Sequence, residues 1–326
     1  MIENDSRIGP YRIVRRLGQG GMGAVYEAIH ETIERRVAIK VLRPQLTTTS
    51  DIAVRFINEA RAVNLLRHPS LVEIFDFGRL SDGTLYLIME FLEGESLRAL
   101  VRRKRVLGED VAKDYAYQIA QAFALAHQKG IIHRDLKPEN VMLVADAMKP
   151  EVMRVKVLDF GIAKVALPSP DSAEVGAAEG DFATAVGTTM GTPKYMAPEQ
   201  YGSAAKVDGK ADVFALGVML YEMVSGQVPF PKTSLSAFAE PPRPLGEVQA
   251  SVSPGLAALV SRMLSAKADR RPTMAEVIAE LTPPPTATGA QTTLTAPPPS
   301  PPRSVWPWVV VLTLGVLGFA GAGLWA

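Results

Sequence analysis

The order of apolar and polar positions divides this chain into a strand-rich beginning, a helix-rich middle and an apolar end. Tyr11–Leu17 and Ala24–Ile29 flank a glycine cluster and predict a β-hairpin. Val37 to Leu42, VAIKVL, predicts a buried strand, and residues 85–91, LYLIMEF, predict another. Between them, residues 51–66 carry Ile52, Phe56, Ala60 and Val63 at helical spacing. Beyond Leu92 helices dominate. Glu109–Lys129 repeats apolar residues at Val111, Tyr115, Ile119, Ala122 and Ala126, and Gly130 supplies a stop. Residues 213–224, VFALGVMLYEMV, are apolar nearly all round yet too short to span a bilayer, which predicts a helix at the centre of a lobe. No internal repeat is present.

The end of the chain changes character twice. Residues 283–304 hold eight prolines and no large apolar cluster, a composition for an extended linker. Val305 to Ala326 then run 22 residues without a charge. At a rise of ~1.5 Å per residue that is roughly 33 Å of helix, enough for a hydrocarbon core of ~30 Å. Trp306, Trp308 and Trp325 fall where interfacial aromatics belong, and Arg303 flanks the run. The expectation is a transmembrane helix at 305–326; the competing reading is a buried terminal helix.

Composition narrows the function. The 326 residues are 47% hydrophobic, enough for a large core. Net charge is +1 from 35 basic and 34 acidic residues, which gives no basic footprint for nucleic acid. Cysteine is absent, so disulfides, thiolate metal sites and thiol catalysis are excluded. The four histidines, His30, His68, His127 and His133, have no zinc-site spacing. The opening MIENDSR has no apolar run, so no secretory signal is expected.

Candidate chemistry concentrates at 133–140, HRDLKPEN. Asp135 can take a hydroxyl proton, Lys137 can hold a transferring phosphoryl group, and the Asn140 amide oxygen can hold Mg²⁺. Gly18, Gly20 and Gly23 lie between two predicted strands, where missing side chains let backbone approach phosphates; a plain hairpin turn is the alternative. A dinucleotide-binding glycine motif would open a helix, whereas AVYEAI after this one reads as a strand. Lys40 shares a strand face with Ala38 and Leu42, an apolar setting that is costly for a cation without a partner. Glu59, nineteen residues on and mid-helix, is the natural partner. Asp159-Phe160-Gly161 follows Asp135 by 24 residues, and Ala197-Pro198-Glu199 comes later.

In this order, the glycine loop, Lys40, Glu59, HRDLKPEN, DFG, APE, Asp212 and Arg271 resemble the eukaryotic-type serine/threonine protein kinases, of the bacterial membrane-anchored kind. The resemblance covers about residues 8–282 and implies an α+β, bilobal kinase fold. Its β-rich N-lobe, about 8–92, would carry one key helix, and its C-lobe, about 93–282, would be mainly helical. A linker at 283–304 and the membrane helix at 305–326 would follow. The resemblance implies ATP and Mg²⁺, for which Mn²⁺ can substitute. Asp135 would orient the acceptor hydroxyl, Lys137 would hold the γ-phosphate, and Lys40, braced by Glu59, would hold the α/β-phosphates. Asn140 and Asp159 would hold the metal. Gly18, Gly20 and Gly23 would cover the phosphates. Val25, Ala38 and Leu143 would sandwich the adenine, with Met89 behind it and Glu90 to Leu92 as hinge. His133 would be structural. Glu199 would pair with Arg271, and Asp212 would anchor the catalytic loop. Lys137 and GTPKYMAPE at 191–199 favour Ser/Thr acceptors, with Thr192 bridging Asp135 and Lys137.

Two stretches depart from the family pattern. Residues 166–181 are rich in Ala, Gly, Ser and Pro, and between Val165 and Pro193 there are four acids and no Lys or Arg. This reads either as a solvated insertion or as an autophosphorylating loop. In the second case Thr184, Thr188 and Thr189 are the acceptors, and Arg134 with Lys164 would receive the phosphate. Residues 230–252 are proline-rich and a few residues short, which leaves substrate docking the least transferable feature. The implied partners are protein substrates, the membrane, and a second copy for trans-autophosphorylation; Gly318 and Ala322 have small-xxx-small spacing. The expected location is the inner or plasma membrane, crossed once, with the kinase domain cytoplasmic. The alternative functions are a pseudokinase scaffold and a small-molecule phosphotransferase of related fold.

Overall fold

The computed structural model describes residues 2–21, 23–47, 56–57, 60–61, 64–146, 148–158, 193–201, 207–231 and 234–282. The expected linker and membrane helix, at 283–326, lie outside the described residues. Among the described residues no helix is long and apolar enough to cross a membrane.

The N-lobe is a six-stranded sheet built from β1 (Arg7–Ile8), β2 (Tyr11–Gln19), β3 (Gly23–His30), β4 (Arg36–Leu42), β5 (Ile74–Arg79) and β6 (Leu85–Glu90). Its order is β1-β2-β3-β4-β6-β5, and every pairing is antiparallel. The hairpin expected at 11–29 is β2–β3, with β2 running two residues beyond the predicted end. Central β4 is buried on both faces, as its unbroken apolar run requires. Val37, Ile39 and Val41 pack outward with Ile13, Tyr26, Ala28 and Ile88. Ala38 and Leu42 face the other way, into the core shared with the rest of the domain. The period-2 alternation therefore puts Lys40 on that inner face, 8% exposed. Residues 56–57, 60–61 and 64–66 are helical, with Phe56, Ala60 and Leu66 buried, consistent with the helix predicted over 51–66.

The C-lobe opens with β7 (Gly94–Ser96), which pairs with β8 (Val141–Ala145) and β9 (Met153–Val157) in a second sheet of order β7-β8-β9. Its helices are α1 (Leu97–Lys104), α2 (Glu109–Gln128), α3 (Lys210–Ser225), α4 (Pro254–Met263) and α5 (Met274–Leu281). The Ser96 side chain caps α1 and Ser253 caps α4, while Thr273 and Glu276 form a capping box on α5. Gly130, at φ +72°, follows α2 and supplies the left-handed stop expected of it. The bilobal α+β arrangement is the expected one. Short β5, β7, β8 and β9 were not predicted, because three to six residues give little periodic signal.

Helix α3 is the axis of the C-lobe. Ala211 to Val224 are all buried, including Asp212 and Glu222, and Gly226 closes the helix at φ +72°. A Cβ on Gly217 would lie 2.8 Å from Met263 Cβ, so glycine is what lets α3 and α4 touch. The stretch 230–252 forms a 3₁₀ turn at Leu235–Phe238 and one helical turn at Leu245–Val248. Phe230 and Phe238 pack against Phe214 of α3, with ring centroids 5.8 Å away in each case. Gly217→Val should force these helices apart and cost about 2 kcal/mol, a drop in Tm of roughly 4–8 °C for a domain of this size. Differential scanning fluorimetry reads it directly, and an unchanged Tm would contradict the close packing.

Candidate active site

The cleft between the lobes is walled above by β3 and β4. Register sets Val25 opposite Lys40 and Ala38 opposite Met89. Ala38, Met89 and Leu143 lie in one buried apolar cluster, with Val25 packed against it. Lys40 Nζ lies 6.0 Å from the Phe56 ring centroid. At the glycine turn the Gly20 amide donates to the Gly23 carbonyl at 2.8 Å, and Arg43 Nη2 donates to the Gly20 carbonyl at 2.8 Å. A Cβ on Gly23 would lie 2.0 Å from the Val41 carbonyl oxygen, which no side chain tolerates. Cβ atoms on Gly18 or Gly20 would meet nothing within 4 Å, leaving the turn open for an approaching phosphate. The strand–turn–strand setting is the one that distinguishes this glycine cluster from a dinucleotide motif.

Glu90 and Leu92 stand at the crossing between the lobes. Glu90 Oε1 accepts from Lys156 Nζ at 2.6 Å and from the Glu73 amide at 2.8 Å. This carboxylate ties the end of β6 to Lys156 and Glu73, and the Glu90 amide itself donates to the Glu73 carbonyl at 2.9 Å.

Below the cleft, Asp135, Lys137 and Asn140 converge. Lys137 Nζ lies 3.0 Å from Asp135 Oδ2. Asn140 Nδ2 donates to the Asp135 carbonyl at 2.9 Å and to its Oδ2 at 3.3 Å. Those bonds commit the amide nitrogen and turn Asn140 Oδ1 away without a donor among the described residues. A neutral amide oxygen held in this way beside a carboxylate suits a hard, oxygen-seeking cation such as Mg²⁺. Among the described residues no cluster of three His, Cys, Asp or Glu could bind a metal by itself. The Asn140 carbonyl accepts from the Leu158 amide at 2.7 Å, so the loop is pinned to the residue preceding Asp159.

Asp212 holds the loop from beneath. Its side chain is 1% exposed, and it accepts from the amides of His133 at 2.9 Å and Arg134 at 2.8 Å and from His127 Nε2 at 2.8 Å. Arg134 sits at φ +63°, a conformation that costs a non-glycine residue on the order of 1 kcal/mol, and the Asp212 contact holds it there. Gly209 keeps His127 in place, since a Cβ there would meet its ring at 2.6 Å. His133 is fully buried and stacks on Phe123 at 5.3 Å. Its Nδ1 accepts from the Asp135 amide at 3.2 Å, so its Nε2 carries the proton and donates to the Leu158 carbonyl at 3.2 Å. Both nitrogens are thus engaged by backbone, in a packing role. Arg134 Nη1 is buried and has no hydrogen-bond partner among the described residues.

The expected pair of Glu199 and Arg271 is present and bidentate, at 2.6 and 2.8 Å, with Arg271 buried. Glu59, Asp159, Thr184, Thr188, Thr189, Thr192 and Lys164 lie outside the described residues. Several structural partners escaped the sequence analysis. Gln200 links the Ala197 amide to the Arg134 carbonyl at 2.9 Å each. Lys156, His127, Arg98, Tyr195 and Glu222 also join the site's framework. A polar residue inside an apolar helix, such as Glu222, was the one available signal.

Comparisons with known proteins agree with this geometry. The family model for the protein kinase domain matches residues 11–281. A serine/threonine-protein kinase of Myxococcus xanthus, pkn3, is 38% identical over 82% of this chain and 48% of its own length. The serine/threonine-protein kinase PknA of Mycobacterium tuberculosis is 37% identical over 73% of this chain and 53% of its own. The chain thus spans about half of the length of these curated relatives. The crystal structure of the Mycobacterium tuberculosis PknI kinase domain superposes with a TM-score of 0.65 at 26% identity, over 86% of this chain and 98% of that one. The chain belongs to the protein kinase domain family, among the bacterial serine/threonine protein kinases of eukaryotic type.

Proposed function

We propose that this protein is an ATP- and Mg²⁺-dependent serine/threonine protein kinase that is tethered to a membrane and switched on by phosphorylation of its own activation segment. The observation that carries the reading is the convergence of Asp135, Lys137 and Asn140 on one point of the cleft. In the reaction the acceptor hydroxyl oxygen bonds to the γ-phosphorus of ATP, the bond from that phosphorus to the ADP oxygen breaks, and ADP leaves. Asp135 accepts the hydroxyl proton or directs it toward solvent, and Lys137 opposes the charge on the transferring group. Mg²⁺ neutralises the phosphate oxygens when bound, and Asn140 with Asp159 would hold it. Lys40 and the glycine turn position the phosphates, and Val25, Ala38 and Leu143 hold the base. Catalysis here is mainly positioning and charge stabilisation.

Arg134 Nη1, buried without a hydrogen-bond partner among the described residues, supports the regulatory part of the reading. A buried guanidinium nitrogen without a partner is costly, and a phosphate oxygen would satisfy it with a charge-assisted bond. Thr184, Thr188 and Thr189 are the proposed acceptors. The uncharged run 305–326 behind a proline-rich linker supports the membrane tether, which would concentrate neighbouring copies for trans-phosphorylation.

The full chain, incubated with Mg²⁺ and labelled ATP, should incorporate phosphate, and Asp135→Asn and Lys40→Met should each lose at least 100-fold of that label. Mass spectrometry should map it within residues 170–190. Equal labelling in all three proteins removes the kinase reading, and active protein without phosphate in that window removes the regulatory one. In cell fractionation the full chain should remain in the alkaline-washed membrane pellet, while a chain lacking 305–326 should move to the supernatant; a deletion that stays in the pellet excludes this anchor.

A further inference from the structure

Helix α1 carries five cations: Arg98 in its first turn, Arg102, Arg103 and Lys104 in its last, and Arg105 at its C-cap. Four of them are exposed, the usual fate of a charge run, but Arg98 is turned inward. Its side chain is 16% exposed against 55% for Arg103. Helical phase explains the difference, because Leu97, Leu100 and Val101 form the buried stripe and Arg98 borders it.

Each of the three nitrogen positions of the Arg98 guanidinium meets a different acceptor. Nε donates to Glu139 Oε1 at 2.8 Å, Nη1 donates to Glu222 Oε1 at 2.8 Å, and Nη2 donates to the Tyr195 hydroxyl. Tyr195 in turn donates to Glu222 Oε2 at 2.5 Å. Burial works against the charge on Arg98, but the bonds to Glu139 and Tyr195 and the charge of Glu222 overcome it and raise its pKa. Burial, then the charge of Glu222, raises the Tyr195 hydroxyl, so this phenol stays protonated and can donate.

The three acceptors belong to three separate segments. Glu139 lies in the 3₁₀ turn Pro138–Asn140 and immediately precedes Asn140. Tyr195 lies in the turn Pro193–Tyr195, just before Ala197-Pro198-Glu199. Glu222 is in the rigid axis α3. We propose that Arg98 is a positioning residue that clamps the Tyr195 end of the activation segment and the Asn140 turn of the catalytic loop to α3, so that metal binding and segment order depend on one guanidinium. This rests on the kinase reading for the role of Asn140, while the clamp itself can be tested without turnover. Only a planar fork with donors in three directions can serve all three acceptors; a lysine ammonium reaches them as a point charge and loses the geometry.

Two readouts separate a clamp from general stabilisation. The first is limited trypsin digestion. Lys194 is exposed, and no Lys or Arg stands between Val165 and Pro193, so a new N-terminus at Tyr195 reports local release of that turn. Arg98→Ala and Tyr195→Phe should both speed cleavage after Lys194 about fivefold or more, under conditions where the ligand-free Tm shows the protein folded. The second is the Mg²⁺ concentration that half-saturates thermal stabilisation by a fixed concentration of ATP. Arg98→Ala and Glu139→Gln should raise it threefold or more, Arg98→Lys should restore it only in part, and Tyr195→Phe should leave it near the wild-type value. Unchanged cleavage in Arg98→Ala and Tyr195→Phe overturns the clamp, as does a wild-type Mg²⁺ midpoint in both Arg98→Ala and Glu139→Gln. If Arg98→Ala does not fold, the Tyr195→Phe and Glu139→Gln pair decides the question by the same criteria. A wild-type chain with no phosphotransfer would sink the kinase reading, and the trypsin result would still stand or fall alone.

Discussion

The arrangement depends on one buried carboxylate. Asp212 sits near the start of a helix whose buried residues are apolar apart from it, Tyr221 and Glu222, and it is almost wholly removed from water. Such a charge is tolerable only when its oxygens are fully engaged. Here they receive two backbone amides from the catalytic loop and one imidazole. The same contacts that make the carboxylate affordable fix the backbone of His133 and Arg134, and so fix where Asp135 begins. Arg134 could not hold its left-handed conformation without them. The loop has almost no regular structure of its own, and its precision comes from the most rigid element of the lobe.

Charges inside the C-lobe follow the same rule. Arg271 is buried and meets Glu199 with two parallel bonds, while its Nε and remaining donor capacity go to backbone carbonyls of Ser265, Ala266 and Lys210. Arg98 meets two carboxylates and a phenol. Buried ion pairs contribute little net stability against an apolar core, but removing one partner is expensive. Their effect is therefore selective: they penalise arrangements in which the segment carrying Tyr195 to Glu199 is out of place. Arginine at both positions fits this, because a planar fork demands direction as well as charge.

Much of the site was legible in residue order. HRDLKPEN announced its acid, cation and amide, and the geometry brings Asp135, Lys137 and Asn140 within hydrogen-bond reach. The apolar run around Lys40 implied an inward-facing cation, and strand alternation places it there. Glu199 with Arg271, and Asp212 beneath the loop, followed from the family resemblance and are met in the structure. Arg98 was not legible, because five cations on one short helix look alike until helical phase and the neighbouring segments choose one. Gln200 and Lys156 were hidden for a related reason: they reach the Arg134 carbonyl and the Glu90 carboxylate, each more than sixty residues away.

The sequence by itself determined the class of fold, the family and the chemical groups at the centre of the cleft, since these depend on local periodicity and on short runs whose members are neighbours in the chain. It also singled out Gly18, Gly20, Gly23 and Gly130 by position. Only the tertiary structure decided that Gly23 is required by the Val41 carbonyl, that Gly217 lets two helices touch, that His133 is locked by backbone on both nitrogens, and that Arg98 joins three segments. Each of these is a contact between residues far apart in sequence. Such contacts are set by packing in three dimensions, where a difference of about 1 Å separates a bond from a clash, and no one-dimensional pattern carries that distance.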